Sequence, residues 1–196
     1  MAHRAVPKEW APGPARPDRP GAEAHLWLAA LGEGLWTSER ALRSVLGRYL
    51  GEDPAAVEIA RPAGGKPRLA KRRERLCFNL SHSGGLALVG VSTVEIGVDV
   101  QTVDPGRRHL AIAERRLGTE SGAAVRAATE AGRPAVFAEH WARFEARQKC
   151  LGLGVFDEAP GDATVAVASL DVPGGYAAAI AVAAERLPPV RRFLLP

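Results

Sequence analysis

Cysteine is scarce: Cys77 and Cys150 are the only two in 196 residues, and they stand in unrelated contexts with no CxxC or Cys/His spacing. That excludes a zinc-ribbon site and a disulfide framework, and both side chains read as reduced, intracellular thiols. Long hydrophobic runs are missing too. The longest stretch that matters, Tyr176 to Ala184, is too short to cross a bilayer, and the N-terminus has no apolar segment of the secretory kind. The expected location is the cytoplasm, with no membrane partner. Nor are basic residues interleaved with aromatics or strung along one helix, as a nucleic-acid surface requires. They concentrate at Lys71 to Arg75, Arg107-Arg108, Arg115-Arg116 and Arg191-Arg192, where a solvated surface is the plainer reading and no nucleic-acid partner is expected.

What is present is enough for a core: 46% of the residues are hydrophobic, which suits one globular unit or two small halves sharing an interior. The formal charge is +4 and the isoelectric point about 9.5, favouring an anionic partner such as a phosphorylated cofactor or an acidic protein.

Residues 1–21 are rich in Pro, Ala and charge without an apolar period, and are expected to be a disordered lead-in. His25 to Leu31 predicts a strand. Thr37-Ser38-Glu39 then caps a helix in which Leu42, Val45, Leu46 and Tyr49 recur at helical spacing and which Gly51 closes. Strand-like runs follow at Val57 to Ala60, Leu76 to Leu80, Leu86 to Ser92 and Ile96 to Val100, with a loop over Pro62 to Pro67. Helices are expected at His109 to Leu117, Glu120 to Ala131 and Pro134 to Leu151, the last ended by Gly152. Two strands, Val165 to Leu170 and Tyr176 to Ala183, flank Pro173-Gly174-Gly175, and a Pro-rich surface tail closes the chain.

ERALRSVLGRYLG and HWARFEARQKCLGLG, each followed by a strand, look like two copies of one scheme. The expected fold is therefore α+β. It has two pseudo-symmetric halves, 22–94 and 95–187, each a long helix on a small antiparallel sheet, with the site at their interface and 188–196 as tail.

Three stretches carry chemistry. In IGVDVQ, Asp99 and Gln101 share one strand face because side chains alternate. In the helix around Trp141, Glu145 and Lys149 lie at i+4 and i+8, so a carboxylate and an ammonium rise from one stripe. If that stripe faces the strand, Asp99, Gln101 and Glu145 converge as hard oxygen ligands for Mg²⁺ that shares substrate phosphates. The plainer reading of Glu145 and Lys149 is an exposed ion pair, and of Trp141 a core residue. The third stretch is the GGKP loop with Lys66 and Pro67, ahead of FNLSHSGG, where His82 sits between Ser81 and Ser83 at a strand edge. With Arg43 on the first helix, Lys66 and His82 could hold a phosphate monoester. The loop has no P-loop pattern, so alone it says little.

GGKPRL, FNLSHSGG, IGVDVQ and WARFEARQKCLGLG, in that order, resemble the motifs of the 4′-phosphopantetheinyl transferase superfamily, specifically its Sfp-like pseudo-dimeric class, over roughly Ser38 to Val155. Four ordered motifs are far more specific than one. The resemblance implies transfer of the phosphopantetheine arm of coenzyme A to a serine of an acyl or peptidyl carrier protein, with release of 3′,5′-ADP. It implies that His82, Ser81, Lys66 and Arg43 hold the 3′-phosphoadenosine end and that Asp99 and Glu145 ligate Mg²⁺. It further implies that Glu145 takes the proton of the carrier serine, directly or through a water, and that Lys149 stabilises the leaving phosphate. A monomer is expected, since the second half supplies what a partner subunit would otherwise provide.

Two positions depart from the family pattern. Gln101 stands where many members carry Glu, which removes one negative charge from the metal site. Phe144 stands where many have Lys, which removes one cation near the phosphates. The competing reading is a non-catalytic coenzyme A or nucleotide-binding module of the same fold. Asp99, Glu145 and Lys149 argue against it, because a binding-only pocket needs no metal-linked carboxylates beside a scissile bond.

Overall fold

The computed structural model describes residues 6–33, 36–63, 65–70, 76–106 and 108–196. Residues 1–5 of the expected lead-in, Gly64 of the GGKP loop, the basic cluster 71–75 and Arg107 lie outside the described residues. The strands are β1 (Ala11–Pro12), β2 (Ala24–Ala30), β3 (Ile59–Ala60), β4 (Arg68–Leu69), β5 (Cys77–Ser83), β6 (Leu86–Ser92), β7 (Ile96–Thr102), β8 (Ala166–Leu170), β9 (Tyr176–Val182) and β10 (Val190–Leu194). The α-helices are α1 (Ser38–Leu50), α2 (His109–Arg116), α3 (Gly118–Ala127) and α4 (Arg133–Leu151). None of the described helices is long and apolar enough to cross a membrane.

Two sheets stack face to face between helices. The first has the order β1-β10-β2-β6-β5 and the second β7-β9-β8, while β3 and β4 form a separate two-residue ladder. Between the sheets, Leu26, Leu28 and Leu88 meet Ile96, Val98, Val100, Ile180 and Val182. On the outer face of the first sheet, the Leu42, Val45, Leu46 and Tyr49 stripe of α1 packs on Trp27, Phe78, Val89 and Phe193. The Thr37 hydroxyl starts that helix by accepting the Arg40 N–H at 3.2 Å. On the outer face of the second sheet lies α4, and α2 and α3 bury Ala113 and Val125 against its Phe137 and Trp141. Trp141 is thus a core residue, stacked on Phe137 at 5.6 Å.

This is an α+β arrangement with a helix on each outer face, although the first sheet is mixed rather than antiparallel. There β10 runs parallel to both β1 and β2. Both ends of the chain depart from the sequence reading. Residues 10–13 of the expected lead-in lie on the fold: Trp10 is buried and donates its indole N–H to the Asp171 carbonyl at 2.8 Å, and Ala11 and Pro12 pair with β10. The expected tail supplies β10 itself, with Phe193 and Leu195 in the core beside Trp27. Parallel pairing joins segments far apart in sequence, so local pattern does not announce it. Two edge strands run longer than expected, β5 through Ser83 and β7 through Thr102.

Candidate active site

A glycine and a row of small residues place the site. Ala138, Ala142, Ala146 and Cys150 recur every fourth residue on α4 and are all buried. Ala142, Ala146 and Cys150 face Ala179 and Ala181 of β9. Gly97 of β7 completes the surface: a Cβ there would lie 2.0 Å from the Ala146 carbonyl oxygen and 2.4 Å from the Cys150 nitrogen. Only a residue without a side chain lets helix backbone approach strand backbone this closely. The neighbouring stripe of Trp141, Glu145 and Lys149 is thereby brought beside Asp99, two residues along β7. Gly152, with φ 72°, ends the helix in the left-handed conformation one turn beyond Lys149.

The other edge of β7 faces β5. No ladder joins these strands; side chains from β5 take up the N–H groups instead. Asn79 Oδ1 accepts from Val98 N at 2.9 Å, Ser81 Oγ from Val100 N at 3.2 Å, and Ser83 Oγ from Thr102 N at 3.0 Å. This comb uses every second residue of FNLSHS, so the strand alternation that aims Asn79, Ser81 and Ser83 at β7 sends His82 the other way. His82 is exposed, on the face that Phe78 and Leu80 present toward α1.

Asp99 is wholly buried, and both its carboxylate oxygens are engaged. Oδ1 accepts from the Ser81 hydroxyl at 2.7 Å and from the Lys149 ammonium; Oδ2 accepts from the Gln101 amide nitrogen at 2.8 Å. Lys149 Nζ also donates to Ser81 Oγ at 3.1 Å and lies 3.5 Å from Glu145 Oε2. The two carboxylates therefore converge on one ammonium. Burial pushes the Glu145 carboxyl above the usual carboxylate range, the Asp99 charge pushes it further, and Lys149 only partly offsets both.

The residues suit a hard cation. Two carboxylates address one positively charged point, now held by Nζ, while Gln101 turns its amide nitrogen, not its oxygen, to Asp99. The set is lean: among the described residues no three His, Cys, Asp or Glu side chains gather as a metal site. Phe144 packs against Trp141 at 5.7 Å, and Arg143 is exposed.

The residues expected to bind phosphate are dispersed. Ser81 joins Asp99 and Lys149, on the face opposite His82. Lys66 is nearly buried and donates to Glu95 Oε2 at 2.8 Å and to the Ile96 carbonyl at 2.6 Å. Arg68 holds the other oxygen of Glu95 at 2.7 Å. Burial opposes ionisation of Glu95, but these two cations outweigh it and hold the carboxyl below its usual range. Lys66, next to Pro67, thus ties the loop to the start of β7. Arg43 bonds Glu39 and the Val57 carbonyl, each at 2.7 Å. Cys150 lies at the same end of β7, where burial lifts its thiol to about 11, so neither chemistry nor exposure marks it as reactive.

The sequence reading missed Gly97, the Ala138 to Cys150 stripe and the position of Ser81. Each left a signal: small residues at every fourth helical position, and polar residues at every second position of FNLSHS.

No protein-family model matches the chain. It is 35% identical over 117 residues to the 4′-phosphopantetheinyl transferase HetI of a Nostoc species, covering 58% of this chain and 49% of that protein. It is 31% identical over 162 residues to slr0495 of a Synechocystis species, whose name assigns it provisionally to the same transferases, covering 76% of this chain and 66% of that protein. The chain spans about half the length of the first relative and just under two thirds of the second. Two similarities bearing one name, over a chain that brings Asp99, Glu145 and Lys149 together, support its membership of the 4′-phosphopantetheinyl transferase superfamily.

Proposed function

We propose that the chain is a monomeric, Sfp-like enzyme of the holo-[acyl-carrier-protein] synthase type. It would move the 4′-phosphopantetheine arm of coenzyme A to a serine of an acyl or peptidyl carrier protein and release 3′,5′-ADP. The observation that carries this reading is the convergence of Asp99 and Glu145 on Lys149 Nζ.

The chemistry follows from the three side chains. The carrier serine Oγ forms a bond to the β-phosphorus of coenzyme A as the bond from that phosphorus to the bridging oxygen breaks. The electron pair leaves on the α-phosphate of 3′,5′-ADP. Glu145 takes the serine proton: a carboxyl lifted above its usual range is a better base near neutral pH than an unperturbed one. Lys149, already beside both carboxylates, supplies positive charge where the leaving phosphate gains negative charge. Asp99 and Glu145 would hold Mg²⁺, joined by the Gln101 oxygen once its amide turns over from the bond to Asp99, and the ion when bound would neutralise charge on the diphosphate.

We assign the phosphoadenosine end to the exposed face of His82, with Arg43 from α1. Lys66 would meet a phosphate with its third N–H or by giving up Glu95, since its other two donors are held by Glu95 and the Ile96 carbonyl. The two pseudo-symmetric halves, the cytoplasmic setting and the carrier as an acidic partner belong to the same proposal; the chain's +4 charge suits such a partner.

The test is the intact mass of an apo carrier protein incubated with coenzyme A, Mg²⁺ and this chain. A gain of one phosphopantetheine is expected. No gain across several carriers, with coenzyme A still bound, would favour the binding module.

A further inference from the structure

We propose that Ser81 is a positioning residue for the transfer reaction, anchoring the Asp99 carboxylate and the Lys149 ammonium to one point on β5, and that it does not bind coenzyme A. The inference rests on the transferase reading. What carries it is the hydrogen-bonding capacity of one hydroxyl. Ser81 is buried, and its Oγ donates its proton to Asp99 Oδ1 at 2.7 Å. It accepts from Val100 N at 3.2 Å and from Lys149 Nζ at 3.1 Å. A serine hydroxyl has one proton and two lone pairs, so these three partners exhaust it. Nothing remains for a phosphate oxygen, and strand alternation has already turned the side chain away from His82.

The three bonds also differ in kind. The bond from Val100 N fixes the hydroxyl to the backbone of the strand that carries Asp99. The other two connect that fixed point to the carboxylate and to the ammonium arriving from α4. Ser81 therefore ties a side chain of β7 and one of α4 to a single atom on β5. Ser83 is the internal comparison: its Oγ accepts from Thr102 N at 3.0 Å and meets Thr102 Oγ1 at 3.3 Å, with no bond to Asp99 or Lys149. It belongs to the same comb and lacks the second role.

Three variants test this: Ser81→Ala, Ser81→Thr and Ser83→Ala. In steady-state transfer, Ser81→Ala should lose about 10- to 100-fold in kcat, the range expected when reacting groups are misplaced, with KM for coenzyme A within about 2-fold. Ser81→Thr, which keeps the hydroxyl, should recover most of the rate, and Ser83→Ala should stay within about 2-fold of the parent. A second readout does not depend on turnover: Lys149 labelling by an amine-reactive reagent, followed by peptide mass, should be several-fold faster in Ser81→Ala and unchanged in Ser83→Ala. A raised KM for coenzyme A at preserved kcat would overturn the proposal, making Ser81 a ligand. So would an equal loss in Ser83→Ala, or Lys149 labelling that Ser81→Ala leaves unchanged. If the parent protein transfers nothing, the transferase reading fails, and the labelling still decides whether Ser81 holds Lys149.

Discussion

Replacing Lys149 with methionine removes the ammonium between Asp99 and Glu145 while keeping an unbranched side chain of similar length. Asp99 is wholly buried and cannot turn to water, so the variant leaves a buried carboxylate with two neutral donors, Ser81 and Gln101. Stripping one partner from a buried ion pair costs about 3–5 kcal/mol, and the two remaining donors place this case near 3 kcal/mol. Asp99→Asn is the mirror experiment and should cost less, about 1–2 kcal/mol, the lower part of the range for an unsatisfied group, because the Lys149 side chain is 29% exposed and its ammonium can rehydrate. The double variant should fall well short of the sum, since it leaves neither charge stranded. Urea unfolding of the four proteins at pH 7, with fixed m-values, measures each term. If Asp99→Asn costs as much as Lys149→Met, or the double variant equals the sum, then the pair is not the buried, one-sided contact described here.

Three further outcomes are expected. Glu145 holds its proton to higher pH when folded than when unfolded, so its contribution favours folding below the ordinary glutamate range and is lost as pH rises through the raised value. Glu145→Gln should therefore raise the melting temperature in neutral buffer, converge on the parent below about pH 4, and abolish transfer; an unchanged melting temperature at pH 7 would contradict the shift. Gly97→Ala places a methyl against the α4 backbone and should cost about 1–3 kcal/mol or more, with transfer lost beyond what the loss of folded protein explains, as seen by comparing kcat with the folded fraction. Gln101→Glu sets a second carboxylate against Asp99 Oδ2. Its melting temperature should fall without metal, and the rise on adding Mg²⁺ should exceed that of the parent.

Local pattern was informative wherever an element is fixed by its own residues. The Thr37 cap, the Leu42 to Tyr49 stripe and the Gly51 and Gly152 stops bound α1 and α4 within a residue of expectation. The face shared by Asp99 and Gln101, and the stripe shared by Glu145 and Lys149, were legible for the same reason. Their meeting was not, because it depends on Gly97 and on the small residues of α4, whose importance lies in what they leave out. The fate of residues 188–196 was hidden by proline: β10 is held by parallel pairing to β2 and by Phe193 against Trp27, contacts between opposite ends of the chain. Ser81 and His82 are adjacent in sequence and were read as one binding unit, yet strand alternation divides them. The GGKP pattern offers Lys66 as a phosphate ligand; the partner that claims it, Glu95, is 29 residues away.

The most direct test of the site is an anomalous difference map from crystals grown with coenzyme A and Mn²⁺ in place of Mg²⁺. The expected result is a single peak coordinated by the carboxylates of Asp99 and Glu145 against the diphosphate, with Lys149 Nζ turned from Asp99 to a phosphate oxygen while it keeps its bond to Ser81 Oγ. Density for coenzyme A with the metal held by other side chains, or with Lys149 still seated between the two carboxylates, would contradict it.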